Sequence, residues 1–377
     1  MPTVLIASDK FKGTLTAAEV AAAVGTGLRR GRPDVTVDSV PVADGGDGTL
    51  AAAVAAGFEL VSVEAAGPTG EPVATGYARQ GDTAVVEMAD VSGLVRLPGE
   101  VLAPMTATSR GVGELVAAAV SAGCSRVVLG IGGSASTDGG AGMLAGLGAR
   151  LLDADGEPVG DGGAQLTRLA SVDLADVRAL MAGVDIVVAC DVDNPLTGPT
   201  GAAAVYGPQK GAGPDRVREL DDALGHFAGI VAAATGRDLR DRPGAGAAGG
   251  VGFAALAALD AELRPGIDLV LDLVDFRKKL AEADLVVTGE GALDEQTLRG
   301  KAPAGVAAAA HAAGIPVVAV CGINTLTADQ LAASGIGAAY ALTDVEPDVE
   351  RCLADPAPLL ERLGERIAAD HLPRGDD

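Results

Sequence analysis

The sequence is poor in aromatic residues. It contains no tryptophan, and its phenylalanines and tyrosines make up only 2% of the chain. Hydrophobic residues nevertheless account for 48% of the sequence, which is typical of a globular protein rather than a disordered one. We therefore predict a core built mainly from alanine, valine and leucine.

Cysteine and histidine are also scarce, and no long apolar run is present. The four cysteines are widely spaced and form no CxxC pair, which favours reduced, buried thiols over disulfides or a zinc site. The three histidines are isolated and are assigned no role. The N-terminal apolar run is too short for a signal peptide, and no stretch is long enough to cross a bilayer. We predict a soluble, cytoplasmic protein.

Cations are outnumbered by acids. The formal charge is 28 − 51 = −23, which argues against nucleic acid or an anionic membrane as a partner, because both require a basic surface. The overall field would also repel a small anionic substrate. A site for such a substrate therefore needs local lysines, helix N-termini or a bound cation.

The pattern that is present alternates buried strands with helices. Residues 4–7 form an apolar run typical of a strand in a parallel sheet, and Thr16 and Glu19 then form a capping box at a helix start. Arg29, Arg30 and Gly31 mark the end of that helix. Further strands are predicted at residues 36–42, 126–131, 185–190, 285–288, 316–320 and 338–342, and helices at 49–56, 141–149 and 251–259. This alternation predicts an α/β fold with largely parallel sheets.

The length and a change in pattern predict two domains. The chain has 377 residues, more than one compact core usually holds. Between residues 64 and 101, short alternating segments at 72–79 and 83–88 are typical of antiparallel hairpins. We predict a discontinuous α/β domain of residues 1–60 plus 280–377, with residues 61–279 inserted as a mixed α/β domain.

Ligands of open parallel sheets bind outside the carboxyl ends of the strands, so the loops that follow strands matter most. These loops read SDKFKGT, ADGGDGT, GIGGSASTDGGAG, CDVDNPLTG and TGEGALDEQT. Glycine, aspartate, serine and threonine are ordinary turn residues, and any one loop is explained by turn chemistry. Five such loops on one side of the sheets favour a binding site.

The loop GIGGSASTDGGAG is the strongest candidate for an anion site. Its glycines let backbone amides approach a phosphate, and Ser134, Ser136 and Thr137 add hydroxyl donors. Gly130, Gly132 and Ala135 also satisfy the dinucleotide pattern GxGxxA, which leaves a nicotinamide-dependent dehydrogenase of a small hydroxy acid as an alternative. The loop continues past Ala135 instead of entering a helix, which weakens that alternative.

Acidic residues in two loops are candidate metal ligands. Asp44 and Asp47 in ADGGDG are hard oxygen ligands of the kind that suit Mg²⁺, and Asp138 is a third candidate. Asp138 would repel a pyrophosphate unless a metal ion stood between them. Solvated turn aspartates are the alternative interpretation of the first pair.

Three further stretches contain glycines or cations that could face an anion. The segment PGAGAAGGVG, with Gly246 and Gly249, precedes a helix and is either a phosphate cradle or a tight helix entry. Lys210 lies in YGPQKGAG, and Arg299 and Lys301 lie in TLRGKAP. Exposed surface lysine is the alternative interpretation of each cation.

Seven ordered blocks resemble those of the type I glycerate kinase family. They are DKFKGTLTA, ADGGDGT, GGSASTDGGAG, CDVDNPLTG, YGPQKGA, GAGAAGG and TGEGALDEQTLRGKAP, and the resemblance runs from about residue 4 to beyond residue 344. It implies two α/β domains, a flavodoxin- or Rossmann-like one and a second mixed one, with the active site in the cleft between them. It also implies transfer of the γ-phosphate of ATP to glycerate with Mg²⁺, generally onto the 2-hydroxyl.

On this interpretation the candidate residues receive roles in phosphoryl transfer, which depends mainly on positioning and charge neutralisation. Asp191 is the predicted base, with Asp294 as second choice, and Lys10 contacts phosphate oxygens. The residues predicted to hold ATP are Lys12, Gly132, Gly133, Ser134, Ser136, Thr137, Gly246 and Gly249. The candidates for the glycerate carboxylate are Lys210, Arg299 and Lys301, and those for Mg²⁺ are Asp44, Asp47 and Asp138.

Two other functions stay open beside the dehydrogenase. One is a kinase that forms 3-phosphoglycerate, and the other is a sensor that binds an anionic metabolite without catalysis. The expected partner is a small molecule rather than nucleic acid or membrane, and a monomer or homodimer is expected.

Overall fold

The structure, a computed structural model, describes residues 1–372, except for the side chain of Arg299. The chain forms two compact units. Unit 1 contains residues 1–44, 51–56 and 267 onward, and unit 2 contains residues 45–50 and 57–266. Both are α/β units, unit 1 with a fully parallel sheet and unit 2 with a mixed one, so the predicted fold class is confirmed.

Unit 1 is built on a five-stranded, fully parallel sheet. With strands numbered in chain order, its members are β1 (Thr3–Ser8), β2 (Thr36–Ser39), β11 (Leu285–Leu293), β12 (Val317–Asn324) and β13 (Ala338–Ala341). The spatial order is β2-β1-β11-β12-β13, which is the flavodoxin-like order. In that order the strand connections change direction between β1 and β11.

Helices cover both faces of this sheet. They are α1 (Ala17–Gly31), α11 (Phe276–Leu280), α12 (Ala302–Ala312), α13 (Ala328–Ala333), α14 (Val349–Ala354) and α15 (Pro356–His371). Val4 and Ile6 of β1 face the core formed with α1 and α15, whereas Leu5 and Ala7 face the core on the opposite side. Burial of both faces explains why β1 is apolar at successive positions rather than at alternate ones.

The first and last helices of the chain are in backbone contact. A Cβ added at Gly27 of α1 would lie 1.9 Å from the carbonyl oxygen of Glu361 in α15, and one added at Gly364 would lie 2.4 Å from the oxygen of Val24. No side chain larger than hydrogen fits at either position without separating the helices. The capping box of Thr16 and Glu19 at the start of α1 is confirmed, because both of its hydrogen bonds form.

Unit 2 is built on a six-stranded mixed sheet of order β10-β9-β6-β5-β4-β3. Its strands are β3 (Glu59–Ala66), β4 (Pro72–Gln80), β5 (Thr83–Glu87), β6 (Arg126–Gly130), β9 (Asp185–Ala189) and β10 (Glu262–Arg264). β3, β4 and β5 are antiparallel neighbours, as the alternating segments predict, and β5, β6, β9 and β10 run parallel. A separate antiparallel pair is formed by β7 (Arg150–Leu152) and β8 (Ser171–Asp173).

One large apolar core joins this sheet to the helices of unit 2. Those helices are α3 (Ala89–Ser92), α4 (Arg110–Ser121), α5 (Ala141–Gly146), α6 (Ala175–Leu180), α7 (Ala202–Tyr206), α8 (Pro214–Thr235) and α9 (Val251–Ala258). The remaining helices, α2 (Thr49–Ala55) and α10 (Gly266–Leu273), contain residues of both units. Phe227 and Phe253 pack edge to face with their ring centroids 5.9 Å apart.

The predicted domain division stays a prediction. It assigns residues 1–60 and 280–377 to one domain and residues 61–279 to the other, and compactness alone does not establish that either part folds independently. Within residues 1–372, no helix is both long and apolar enough to span a membrane.

Candidate functional site

In unit 1, polar residues gather at the carboxyl ends of β1 and β11. Ligands of doubly wound sheets bind where the connections change direction, which here is the end of these two strands. The backbone amide of Asp9 donates to the carbonyl of Gly289 at 2.9 Å, so the two strand ends are directly joined. Lys10 and Lys12 follow β1, and the backbone nitrogen of Lys12 lies within 3.7 Å of where a Cβ would stand on Gly291.

Asp9 has an unusual environment for a carboxylate. Burial is the main cause that raises its pKa to about 7, and repulsion from Asp44 and Glu290 adds to the effect. Its Oδ1 accepts a hydrogen bond from the backbone amide of Lys10 at 2.7 Å, which acts in the opposite direction. A perturbed carboxylate at a strand end is typical of a functional site. The sequence pattern gave Asp9 no role.

The loop after β11 is held by its own side chains. Glu290 accepts hydrogen bonds from Thr297 Oγ1 at 2.5 Å and from Lys301 Nζ at 3.4 Å. Thr297 Oγ1 in turn accepts from the backbone amide of Asp294 at 3.0 Å. Asp294 Oδ1 accepts from the amides of Gln296 and Thr297, so Asp294 contributes to the loop structure.

The other predicted residues of unit 1 are placed as follows. Lys301 is half-buried beside Glu290, and Lys12 is exposed. Asp44 is half-buried, and its charge acts on Asp9. The side chain of Arg299 lies outside the described residues, so its predicted role stays a prediction.

In unit 2, the glycine-rich loop after β6 runs from Ile131 to Gly140, and α5 begins only at Ala141. In a dinucleotide-binding motif the helix begins within the glycine pattern, and here it begins several residues later. Ser134, Ser136 and Thr137 are buried, and the hydroxyl oxygens of Ser136 and Thr137 have no hydrogen-bond partner among the described residues.

Lys210 is inside the protein and holds this loop. Its Nζ donates to Ser134 Oγ at 2.8 Å and to the carbonyl oxygen of Ser136 at 2.5 Å, and its side chain is 1% exposed. Burial lowers the pKa of Lys210 to about 7, and the charge of Asp138 opposes that effect. Its predicted role in binding the glycerate carboxylate stays a prediction. These contacts disfavour that role, because the ammonium group already donates hydrogen bonds to Ser134 and Ser136 of the loop.

The buried ammonium predicts a specific pH dependence of stability. The unfolded chain keeps the Lys210 proton up to about pH 10.5, whereas the folded protein releases it above about pH 7. The unfolded state therefore binds more protons between these values, and the free energy of unfolding should rise with pH by up to about 1.4 kcal/mol per unit.

Urea unfolding of the wild type and of Lys210→Met from about pH 6 to pH 10 checks this expectation. The stability difference between the two proteins should change in favour of the wild type as the pH rises. Parallel curves for the two proteins would contradict the lowered pKa.

Asp138 is also wholly buried, and its carboxylate is bound by the protein. It accepts from the amide and hydroxyl of Ser109 at 2.8 to 3.1 Å, and from the amides of Gly140 and Gly142 at 3.0 and 3.2 Å. Burial raises its pKa, and the bonds from Ser109 oppose the rise. Its assignment to Mg²⁺ stays a prediction that these contacts disfavour, because a metal ion would have to displace them.

Gly246 and Gly249 are in close backbone contact with neighbouring loops. A Cβ at Gly249 would lie 2.1 Å from the carbonyl oxygen of Ser136, and one at Gly246 would lie 2.2 Å from that of Pro195. Gly249 also has a φ of +68°, which favours glycine. The segment thus joins the loop after β6 to the loop after β9. These contacts account for both glycines without a phosphate, and the predicted phosphate contact stays a prediction.

Asp191 lies two residues beyond the end of the buried strand β9, close to the strand end that the sequence predicts. Its side chain is exposed, and its Oδ1 accepts from the backbone amide of Gly266 at 2.9 Å. That bond fixes the carboxylate orientation while leaving it accessible.

Glu87 is a buried acid that the sequence analysis missed. It ends β5 and is 5% exposed, and it accepts from the backbone amides of Gly48 and Leu50 in the segment that contains Asp47. Burial raises its pKa, and the charges of Asp47 and Asp90 add to that effect. The available signal was a single glutamate at the end of the apolar run TAVVE.

The glycines at the end of β6 contact the same segment. Cβ atoms at Gly130 and Gly132 would lie 2.7 Å from the carbonyl oxygen of Gly45 and 2.6 Å from Cα of Gly46. Gly132 is therefore required for packing, whatever its predicted role in binding ATP. Gly133 is exposed with a φ of +72°.

Each unit thus carries glycine-rich loops and acids at the carboxyl ends of parallel strands, and in unit 1 Lys10 and Lys12 follow β1 there. This defines an α/β protein of the class that binds small ligands at strand ends. Among residues 1–372, no group of three or more histidine, cysteine, aspartate or glutamate residues is arranged to hold a metal ion by itself.

Comparison with known proteins identifies the family. The sequence model of the Glycerate kinase family matches residues 4–372. The chain is 44% identical over 369 residues to a glycerate kinase of Bacillus subtilis (strain 168), covering 97% of each chain. It is 43% identical over 343 residues to a glycerate 2-kinase of Escherichia coli (strain K12), covering 90% of each. The chain belongs to the glycerate kinase family.

A solved structure agrees with this assignment. The crystal structure described as glycerate kinase 2 from Salmonella typhimurium LT2 is similar with a TM-score of 0.84 and 42% sequence identity. The similarity covers 98% of this chain and 97% of that one, so it extends to both units.

Proposed function

We infer that this protein is a glycerate kinase, which transfers a phosphoryl group from ATP to glycerate. The observation that carries the inference is the family match over residues 4–372, together with relatives of 43 to 44% identity that cover at least 90% of the chain. The loops at the strand ends supply the groups that phosphoryl transfer needs: Lys10, Lys12 and Lys301 in unit 1, and the backbone amides of the glycine-rich loop in unit 2.

We propose that the 2-hydroxyl of D-glycerate is the acceptor and that 2-phosphoglycerate is the product. The support is the relative from Escherichia coli, which is described as a glycerate 2-kinase. Formation of 3-phosphoglycerate is the competing proposal, and the experiment below separates the two.

We propose that Mg²⁺ assists the reaction and that Asp44 and Asp47 are its protein ligands. Mg²⁺ prefers hard oxygen ligands and usually takes only one or two carboxylates, with phosphate oxygens and water completing its shell. The two aspartates fit that requirement. When bound, the ion would neutralise charge on the transferred phosphoryl group.

The roles of the remaining residues are proposed from their chemistry. Lys10 and Lys12 contact phosphate oxygens. They follow β1 at the edge of the sheet where the strand connections change direction, which is where ligands of such sheets bind. Asp191 accepts the proton of the attacking hydroxyl, with Asp294 as second choice. Lys301 or Arg299 binds the glycerate carboxylate, and the loop of Gly132, Gly133, Ser134, Ser136 and Thr137 receives ATP phosphates.

A nicotinamide-dependent dehydrogenase is not favoured. Helix α5 begins at Ala141, well after the pattern of Gly130, Gly132 and Ala135. Asp153, the acid at the distance expected for a ribose contact, accepts instead from the amides of Asp155 and Glu157 at 3.0 Å. A sensor without catalysis is also not favoured by the family match.

Phosphorus NMR of the purified protein with ATP, Mg²⁺ and D-glycerate tests the proposal. We expect ATP to be consumed and a phosphomonoester signal to appear that is split by a single neighbouring proton, as in 2-phosphoglycerate. A signal split by two neighbouring protons would indicate the 3-phosphate. No glycerate-dependent loss of ATP would overturn the proposed function.

We further propose a cytoplasmic location, because the reaction draws on cellular ATP and the four cysteines are free thiols. A monomer or homodimer is proposed on size alone. Gel filtration with light scattering distinguishes these two states.

A further inference from the structure

We propose that Glu87 is a positioning residue that fixes the loop segment Gly45–Leu50 and thereby the carboxylate of Asp47. The proposal rests on the proposed function, in which Asp47 is a ligand of Mg²⁺. Glu87 itself is not assigned to contact the metal ion or the substrate.

The carboxylate of Glu87 makes three hydrogen bonds to this segment. Oε1 accepts from the amide of Gly48 at 3.1 Å, and Oε2 accepts from the amides of Gly48 and Leu50 at 3.2 and 2.8 Å. These amides flank Thr49, and the amide of Gly48 directly follows Asp47 in the chain. A rotation of the Asp47 backbone would break them.

The rest of the segment Gly45–Leu50 is also fixed, by contacts that do not involve Glu87. Thr49 is buried, and its Oγ1 donates to the carbonyl of Gly46 at 2.7 Å. Gly45 has a φ of +86°, and a Cβ there would lie 2.5 Å from Cα of Gly266 and 2.6 Å from Cβ of Ala189. Backbone packing therefore holds the start of the segment, and Glu87 holds its end.

The buried side chain of Glu87 needs its hydrogen bonds to the segment in order to remain a carboxylate. Glu87 is 5% exposed, and burying a carboxylate costs free energy unless hydrogen bonds compensate. A carboxylate offers two acceptor oxygens for the two amides, whereas glutamine offers one acceptor and a competing donor. A glutamine oxygen in the place of Oε2 could keep the bonds to both amides, but its NH₂ group would then lie about 3.1 Å from the amide of Gly48, so that two donors would face each other.

The experiment compares Glu87→Gln, Glu87→Asp and Glu114→Gln with the wild type. Glu114 is the matched control, because it lies in the same unit and its Oε2 accepts from a backbone amide outside the segment Gly45–Leu50, that of Ala66, at 2.7 Å. Binding of Mn²⁺ in the presence of ADP is measured by electron paramagnetic resonance. The Mg²⁺ dependence of kcat is measured separately.

We expect Glu87→Gln to weaken Mn²⁺ binding about 10-fold, which is the usual cost of losing a group that orients a metal ligand. The Mg²⁺ concentration for half-maximal activity should rise in parallel, and KM for glycerate should change little. Glu114→Gln should match the wild type in both measurements. In an Asp47→Asn background, Glu87→Gln should cause no further loss of Mn²⁺ binding.

Equal Mn²⁺ affinity in Glu87→Gln and the wild type would overturn the proposal. So would an equal loss in Glu114→Gln, or an undiminished effect of Glu87→Gln in the Asp47→Asn background. If Glu87→Gln does not fold, Glu87→Asp gives the same comparison, because the shorter carboxylate cannot reach both amides. A wild type that binds Mn²⁺ but does not phosphorylate glycerate would refute the proposed function and leave the Glu87 comparison intact.

Discussion

Replacing Asp191 with asparagine is expected to lower kcat at least ~100-fold, the usual scale for the loss of a group that transfers a proton. Asparagine has nearly the same shape but cannot take the proton of the attacking hydroxyl. Its carbonyl oxygen can still accept from the amide of Gly266, so the loop after β9 should keep its conformation. Binding of ATP should therefore remain nearly normal.

Steady-state kinetics and ATP titration by calorimetry check this expectation. Asp193→Asn is the control, because Asp193 is an exposed acid in the same loop and its loss lowers the negative charge equally. A kcat for Asp191→Asn within a few-fold of the wild type would reject the base role and direct attention to Asp294.

Replacing Lys10 with methionine is expected to reduce kcat/KM for ATP by about 100- to 1,000-fold, as the loss of one transition-state donor does in other enzymes. The chain carries a formal charge of −23, so a triphosphate depends on local cations for its attraction. Methionine preserves the length and apolar character of the lysine stem. The change should therefore act through the lost charge and its hydrogen bonds.

Lys278→Met provides the comparison for that experiment. Lys278 is an exposed lysine in α11 of the same unit, so its replacement changes the net charge of the unit by the same amount. Equal kcat/KM values for the two variants would mean that Lys10 acts through the overall field or has no role in phosphate binding.

Local signals in the sequence predicted the fold well where they determine structure by themselves. Thr16 and Glu19 lie within one helical turn, and α1 begins directly after Thr16. The predicted strand 285–288 was too short, because β11 continues to Leu293 by pairing with β12, including Ala292 with Ile323. The predicted strand 36–42 was too long, because regular pairing ends at Ser39 and only single backbone bonds from Val40 and Val42 follow.

The roles of individual site residues were less accessible to sequence analysis. Lys210 lies in a glycine-rich loop, where a lysine is normally exposed, and only tertiary packing buries it beneath Ser134. Glycine at positions 246 and 249 is compatible with a phosphate-binding loop and equally with close packing of two backbone segments. Each of these arrangements requires that the residue has no Cβ. Glu87 forms its hydrogen bonds with residues nearly 40 positions away in the chain, and no short sequence pattern predicts a contact over that separation.

The contact between α1 and α15 has a consequence for synthesis of the chain on the ribosome. β1 is translated before unit 2, yet its neighbour β11 and the helix α15 that covers α1 are translated after it. Unit 2 is almost continuous in the chain, so its strands can associate while the first helix still exposes Val20, Val24 and Leu28. The apolar face of α1 therefore stays uncovered, and able to associate with wrong partners, until α15 leaves the exit tunnel.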